Sequence, residues 1–471
     1  MKKLIIISVM FLICTSAAFA QFGSAGTVDA RSMGMAKTYN AITRGVMSVG
    51  INPSNLIYNQ PYDFELSTVL PLPMISLRSG TDFMSIDEVN YYFGGVNGKG
   101  RILTEEDKNN FNDLFKDGGF IFANFSVRLL SLSYNAEPSI GAFAFSINDA
   151  AGGKFNLPQA LVDIALTGNE HNKTYDFNDA DAKAWWIRNY SLTYAREIPE
   201  INQDIFDKIG AGITLKLVQG FAYLGVEHAQ TNLTTGAGNV ITGTADYLAY
   251  TAFSEDFGVK YDFDSVETDG KVGPFPSSAG NGFGFDLGLT ASMDQWNFSL
   301  AVTDIGSITW KNHAAQFTAK GDLFIDDFTN QAQLDTLKER MTGKASPISE
   351  FSTSLASAFR FGASYYFADG EDAIPGTLLL ALDYNQGFND MPGNSKSPRF
   401  SIGAEWKPMD WIPYLRTGFS FGGADGFNWG LGLGFDTGLI EFNIATSDFQ
   451  AFVAPNSAKY ISIAMGSRWK F

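Results

Sequence analysis

Cysteine occurs once in these 471 residues, at Cys14, which excludes a disulfide framework and a thiolate metal cluster within the chain. Charge is also scarce, at 18% of residues, and positive charge most of all: 33 basic residues stand against 50 acidic ones, for a net −17. Such a balance argues against nucleic acid as a partner, because phosphate neutralisation needs a cationic surface. It fits solvated loops, or an acidic pore surface, instead. Histidine occurs only three times, at His171, His228 and His313, spread through segments that read as loops, so neither an HExxH zinc site nor a His-centred triad is in view. Long hydrophobic runs are missing too. No stretch approaches the roughly 18 consecutive apolar residues that a transmembrane helix requires.

What the chain does have begins with a secretory signal. Lys2 and Lys3 precede an apolar run from Leu4 to Ile13, and Ala18-Phe19-Ala20 before Gln21 supplies small residues at a cleavage site, so residues 1–20 are expected to be a signal peptide. Cys14 follows Ile13 inside the apolar run, where a lipoprotein signal would place a small residue before the cysteine, and lipidation is not expected. Cleavage would remove the only cysteine.

Glycine and aromatics are abundant: 48 glycines, 41 phenylalanines and 18 tyrosines, at a mean hydropathy of −0.04. This average conceals a strict alternation. Phe427, Trp429, Leu431, Leu433 and Phe435 fall on one face of an extended chain, with Asn428, Gly430, Gly432 and Gly434 on the other. The same period of two runs through Phe283–Leu289, Trp296–Val302, Phe359–Phe367, Leu378–Tyr384 and Phe400–Trp406. It recurs at Tyr62–Val69, Leu129–Tyr134, Ile140–Ile147, Tyr190–Arg196, Ile209–Leu217, Asp246–Phe253, Leu415–Phe421, Ile440–Ala445 and Tyr460–Phe471. Asp369-Gly370, Met391-Pro392-Gly393 and Asp425-Gly426 read as turns between them. These are fifteen candidates, and single-chain bacterial barrels have even strand numbers, so fourteen is the expected count. A soluble sandwich would carry Lys, Glu and Thr on its second face, whereas here that face is mostly Gly, Ala and Ser. The expected fold is therefore all-β: a transmembrane, antiparallel, up-and-down β-barrel of about fourteen strands over residues 61–471, with long loops around Arg101–Lys116, Leu157–Leu166 and Asp322–Met341, the second of which reads as a short helix behind Pro158. In the last strand Ile461, Ile463, Met465, Trp469 and Phe471 share a face broken only by Ser467. Met465, Trp469 and the terminal Phe471 resemble the signal by which barrel-assembly machinery recognises its clients.

Motifs for chemistry fail on inspection. Gly282-Phe-Gly284-Phe-Asp-Leu-Gly288 and Gly432-Leu-Gly434-Phe-Asp-Thr-Gly438 have one residue too many for a dinucleotide loop and lie inside strands. Asp262-Phe-Asp264-Ser-Val266 lacks the third ligand of a calcium loop. No catalytic residue, cofactor or metal is expected, and the protein does not read as an enzyme. Trp406, Trp411 and Trp469 stand at strand ends, as interfacial girdle residues do. Trp185-Trp186 reads as girdle or as a stacking site for a sugar or hydrophobic ligand.

Residues Asp29-Ala-Arg31-Ser-Met-Gly34-Met35-Ala-Lys-Thr-Tyr39, followed by Asn52-Pro53-Ser-Asn-Leu56, resemble the opening of the FadL/TodX/PorV-like outer-membrane family. Arg31, Gly34, Met35, Tyr39, Asn52, Pro53 and Leu56 match its G-A-R-A-M-G-M-G-G-A-Y start and N-P-A-G-L segment by position. Ala36-Lys37 and Ser54-Asn55 depart from it, which leaves the subfamily open. The resemblance implies that residues 21–60 form a hatch in the lumen. For a FadL-like member it implies passage of hydrophobic small molecules across the outer membrane. For a PorV-like member it implies a scaffold that shuttles cargo for protein-secretion components. Expected partners are thus outer-membrane lipids, the barrel-assembly machinery, and a hydrophobic ligand or secretion-system proteins.

Overall fold

The computed structural model describes residues 29–58, 60–95, 99–116, 118–178, 180–198, 205–259, 270, 272–327, 329–342, 344–367 and 374–471. The expected signal peptide with Cys14, the start of the expected hatch, the Asp262–Val266 segment and the Asp369-Gly370 turn lie outside them.

The wall opens with β1 (Phe64–Thr68) and β2 (Met74–Thr81), followed by β3 (Phe120–Asn135), β4 (Ala142–Asn156), β5 (Thr174–Asp176), β6 (Asp181–Glu197), β7 (Lys208–Thr235) and β8 (Ile241–Phe253). Next come β9 (Gly280–Met293), β10 (Trp296–Trp310), β11 (Ala315–Ile325), β12 (Lys344–Pro347), β13 (Phe351–Ser354) and β14 (Ala358–Phe367). The chain ends with β15 (Thr377–Gly387), β16 (Arg399–Lys407), β17 (Tyr414–Gly422), β18 (Gly426–Asp436), β19 (Ile440–Thr446) and β20 (Tyr460–Lys470). Both β1 and β2 pair with β3 on one side and β20 on the other, so they are two halves of one stave and close the sheet on itself. With that stave counted once, the order β1/β2-β3-β4-β6-β7-β9-β10-β14-β15-β16-β17-β18-β19-β20 is a closed antiparallel barrel of 14 strands. The odd candidate among the fifteen is Asp246–Phe253: it is a strand, β8, but it does not belong to the closed wall. It pairs with the upper half of β7 and with β11. Together with β5 and β12 they form a sheet beyond the rim, packed on Tyr175, Phe177, Leu233, Ile241, Leu323 and Ile325. Asp322–Ile325, expected in a long polar loop, are the end of β11; the helix there spans Gln331–Thr342. The expected helix after Pro158 is present at Gln159–Thr167.

Alternation sets which side faces out. On β18 Phe427, Leu431, Leu433 and Phe435 are exposed while Asn428, Gly430, Gly432 and Gly434 are buried. Leu192, Leu217, Phe283, Leu289, Leu382, Phe400, Phe435 and Ile461 extend this exposed apolar surface around the wall. A belt of that extent is far larger than monomers in water tolerate, and it is the outer face that a lipid-spanning barrel needs. No helix among the described residues is long and apolar enough to cross a membrane. Short turns such as Asp294-Gln295 and Thr437–Leu439 gather at one end, long connections such as 82–119 and 447–459 at the other.

The Trp pair differs from expectation. Both residues lie within β6 and are buried, Trp185 against Tyr223 and Trp310, Trp186 against Phe221 and Phe257. They are core under the loop-side roof, so neither a girdle nor an open stacking platform is built from them. Trp411, by contrast, is 81% exposed in the turn before β17. His228 is also in a strand, β7, where Nε2 lies 2.8 Å from Asp246.

The one polar residue on the outward face of β20 has a partner of its own. Pro71 and Pro73 cannot donate to a ladder, so residues 69–73 leave the wall between β1 and β2. The Ser467 hydroxyl donates to the Leu72 carbonyl (2.7 Å) and accepts from the Leu72 amide (3.2 Å). Ser467→Ala is expected to leave both backbone groups unpaired and to destabilise the barrel by about 1–3 kcal/mol, read as a lower urea midpoint for loss of the folded band on gels. An unchanged midpoint would refute this role.

Candidate functional site inside the barrel

Residues 29–58 are almost entirely buried, and they lie against the inward face of the wall. Asp29 starts the segment by accepting the Arg31 amide at 3.0 Å, capping a helix over Ala30–Gly34. That helix packs on β17, β18, β19 and β20. Positive φ angles at Ala36 and Lys37 turn the chain, and a 3-10 turn at Gly45–Ser48 reaches β1, β3 and β4. Asn52 then caps a second 3-10 turn, Pro53–Ile57, which meets β6, β7 and β9. The segment therefore spans from one side of the lumen to the other.

Each matched residue of the opening motif has a definite neighbour. Arg31 donates from Nε and Nη2 to both oxygens of Glu405, at 2.8 and 2.7 Å. Gly34 comes so close to β18 that a Cβ there would sit 2.9 Å from Gly432 Cα, which explains glycine at both positions. Met35, fully buried, lies against Gly403 and Gly418. The Tyr39 and Asn40 amides both donate to Asp383 Oδ2, at 2.5 and 2.8 Å. Asn52 donates to Ser299 Oγ at 2.6 Å and to the Leu289 carbonyl at 3.1 Å. Pro53 seats against Gly212, and Leu56 joins Val49, Ile57 and Tyr58 on Ala142, Ala144 and Ala195. Arg31, Gly34 and Met35 thus dock on the β16–β18 side, Asn52 and Pro53 on the β7–β10 side. Met465 and Trp469 are elsewhere, half-buried on β20, and Phe471, the residue after that strand, is exposed with its ring beside Phe64 and Trp469.

The receiving residues on the wall were not anticipated. Glu405 also accepts from Arg416 Nε (2.5 Å), and Arg416 reaches Asn443 (2.6 Å). Arg468 bonds Glu441 and Glu65 (2.7 and 3.1 Å), and the Glu65 carboxylate accepts the Val46 amide of the segment (2.8 Å). On the loop side Arg78 bridges Asp425 (2.7 Å) and Asp448 (2.9 Å), and Lys37 of the segment pairs with Asp425 (2.9 Å). The available signal was a charge at an inward position of a strand whose outward face is apolar, such as Glu405 between Ala404 and Trp406. Burying such a charge is costly unless it is paired.

Two cavities flank the segment. One of about 530 Å³, at the short-turn end, is bordered by Arg31, Arg44, Tyr62, Tyr414, Glu441 and Arg468. A smaller one of about 70 Å³, at the long-loop end, is bordered by Met33, Lys37, Arg78, Phe120, Phe122 and Met391.

The loop-side ion pairs give docking a pH dependence. Burial would raise the Asp425 carboxyl, but Arg78 and Lys37 outweigh it and hold it well below the usual carboxylate range. An acid depressed in this way stabilises the docked state fully above its ordinary value near about 4 and loses that contribution as pH falls through the depressed one. Lys37 works in the same direction. Burial pulls its ammonium down to about 8 despite Asp425, so docking gains as pH rises from there towards the ordinary lysine value. Loosening is therefore expected only on the acid side, below about pH 4, as a rise in conductance of the purified barrel that alkaline buffer does not produce. Opening at alkaline pH instead would contradict the assignment.

Residues 59–447 match the model of a family described as a family of unknown function, DUF5723. The chain belongs to DUF5723. The matched region begins where the lumen segment of this DUF5723 barrel ends. No curated protein matches it. Among solved structures it is similar to the TodX deltaS2S3 mutant monoaromatic hydrocarbon channel, with a TM-score of 0.46 and 11% identity over 94% of this chain and 98% of that one. It is also similar to a Pseudomonas aeruginosa FadL homologue (TM-score 0.45, 11% identity, 97% and 100% covered). A third is the Pseudomonas putida toluene transporter TodX (TM-score 0.45, 10% identity, 96% and 99% covered).

Proposed function

We propose that the protein is an outer-membrane channel that takes up hydrophobic small molecules, with residues 29–58 as its hatch. The observation that carries this reading is how the segment is held. A filler needed only for stability would be served best by apolar packing, since buried ion pairs add little net stability over hydrophobic replacements. This segment packs apolar residues such as Met35, Ile42, Val46 and Leu56 and is pinned in addition by separate polar anchors, Glu405, Asp383, Asp425 and Ser299, with a cavity on either side. Discrete anchors fix one position and can be released singly. The hydrophobic cargo comes from the likeness of the opening motif to FadL-like hatches, supported by Met33, Phe120, Phe122 and Met391 around the loop-side cavity. The exposed apolar belt supports residence in the outer membrane, its lipids being the belt's partners, with Met465, Trp469 and Phe471 presented to the assembly machinery.

Proteoliposomes carrying the purified protein should admit a hydrophobic fluorescent probe faster than protein-free vesicles, and the protein should fractionate with the outer membrane as a heat-modifiable band. Recovery as a soluble periplasmic protein would end the reading. Equal probe entry would end the transport half of it. A secretion scaffold is the second reading, favoured by the sheet beyond the rim. Its exposed face carries polar pairs such as Lys320–Asp246 (3.0 Å) and Asn232–Thr244 (2.9 Å), a surface suited to a protein partner. Cutting that sheet would then release a co-purifying protein while leaving flux unchanged.

A further inference from the structure

Arg44 stands on the lumen segment just before the 3-10 turn Gly45–Ser48 and borders the cavity of about 530 Å³ at the short-turn end. Its guanidinium is held in one orientation. Nη1 donates to the carbonyls of Ala41 (3.1 Å) and Thr43 (2.7 Å), and the guanidinium carbon sits over the Tyr58 ring, 4.0 Å from its centre. The opposite edge, Nε with Nη2, is the one with which Arg31 grips both oxygens of Glu405. On Arg44 that edge has no acceptor among the described residues, and its nitrogens remain accessible. A fixed guanidinium thus presents two parallel donors to a cavity with room for a ligand, the fork geometry that a carboxylate matches.

The acids of the cavity leave this edge alone. Glu405 is held by Arg31 and Arg416, Glu441 by Arg468 and Asp436 by Lys470. Asp294 is exposed in the turn before β10. None of them lies within ion-pair distance of Arg44, and the charged side chain that acts on it is a second cation, Arg31. Water can accept the two N–H groups but does not neutralise the guanidinium, whereas an oxyanion does both. The same acids set the charge of the occupant, because a second negative charge would meet Glu405, Glu441 and Asp436 across the cavity. They also set its character. Charged and phenolic groups dominate the lining, with Ile42, Pro61 and Leu379 as its aliphatic part, so a long alkyl body would be laid against side chains that need water.

We propose that Arg44 binds the carboxylate of a compact organic monoanion, of the size of acetate or lactate, in the cavity at the short-turn end. The carboxylate takes the Nε and Nη2 edge as Glu405 takes that of Arg31, and the remainder of the anion occupies the polar cavity beside the lumen segment. The site rests on the docked segment and not on the transport of hydrophobic molecules, and it holds for a scaffold equally well.

The test uses the full-length protein in an uncharged maltoside detergent with acetate as the probe. Saturation-transfer NMR should show transfer from the protein to the acetate methyl protons, and titration should give a saturable affinity. Lactate should displace acetate, and inorganic phosphate at equal ionic strength should do so far less well. Arg44→Gln, which removes the charge, should weaken acetate binding on the order of tenfold. Arg44→Lys keeps the charge but gives up the two-donor edge, and its affinity should fall between the two, so it decides the matter should the glutamine variant fail to fold. No transfer in the wild type, an affinity equal to wild type in either variant, or phosphate that displaces acetate as well as lactate does would overturn the proposal.

Discussion

Deleting residues 29–58 is expected to convert the purified barrel from a nearly closed pore into one whose conductance in planar bilayers is on the order of tenfold higher. The size of the effect follows from how the wall is built against the segment. Gly212, Gly288, Gly403, Gly418, Gly430 and Gly432 point inward directly at it, and a Cβ on any of them would collide with the segment or with the next strand. A lumen lined so sparsely has little side-chain volume of its own with which to refill the space. The deletion removes one partner from the pairs at Glu405, Asp383, Asp425 and Glu65, but these face the newly wetted lumen and become hydrated. The wall ladders need none of them, so the barrel should still assemble and migrate as a heat-modifiable band. Uptake of a hydrophobic probe should change together with conductance. Unaltered conductance would show that the segment does not obstruct the lumen. A large open pore without altered probe uptake would point to the scaffold reading.

Glu405→Ala is expected to be the most damaging single substitution among the anchors, costing about 3–5 kcal/mol. It leaves two guanidinium groups behind, Arg416 at 2% and Arg31 at 16% side-chain exposure, each of which donates to this carboxylate. Arg416 retains Asn443, which is neutral, and the neighbouring Glu441, which is already paired with Arg468. Arg31→Ala should cost less, because Glu405 then remains paired with Arg416. Docking should suffer in both variants, and conductance should rise in both. Only Glu405→Ala should also sharply lower the urea midpoint of the folded band. Equal midpoints for the two variants would mean that Arg416 does not depend on Glu405.

The wall was legible in the chain because a barrel strand is a local pattern. Side chains alternate with period two, so Phe427 to Phe435 declares its lipid face and its lumen face without reference to any other residue. That is why fourteen of the fifteen candidate segments fall on staves, and why the break at Ser467 was visible as a break. Its cause was not, since the hydroxyl answers a backbone group 395 residues earlier. β2 escaped notice because Ser76, Arg78 and Gly80 alternate with only two large apolar residues, Ile75 and Leu77, directly after a pair of prolines. Alternation likewise could not tell β8 from a stave, because a strand looks the same in a closed wall as in a sheet above the rim.

By itself the sequence determined the strand periodicity, the class of fold and the presence of a distinctive opening segment, because backbone geometry and hydrophobic patterning act between near neighbours. Tertiary structure alone decided where that segment docks. The Arg31–Glu405 pair joins residues 374 apart and Arg78–Asp448 residues 370 apart, and nothing local marks either acid as belonging to its base. Which inward charge meets which depends on strand order, register and closure of the barrel. Those are fixed only when all the ladders form together, and so the anchors and the two cavities emerge from the closed wall and not from the order of the residues.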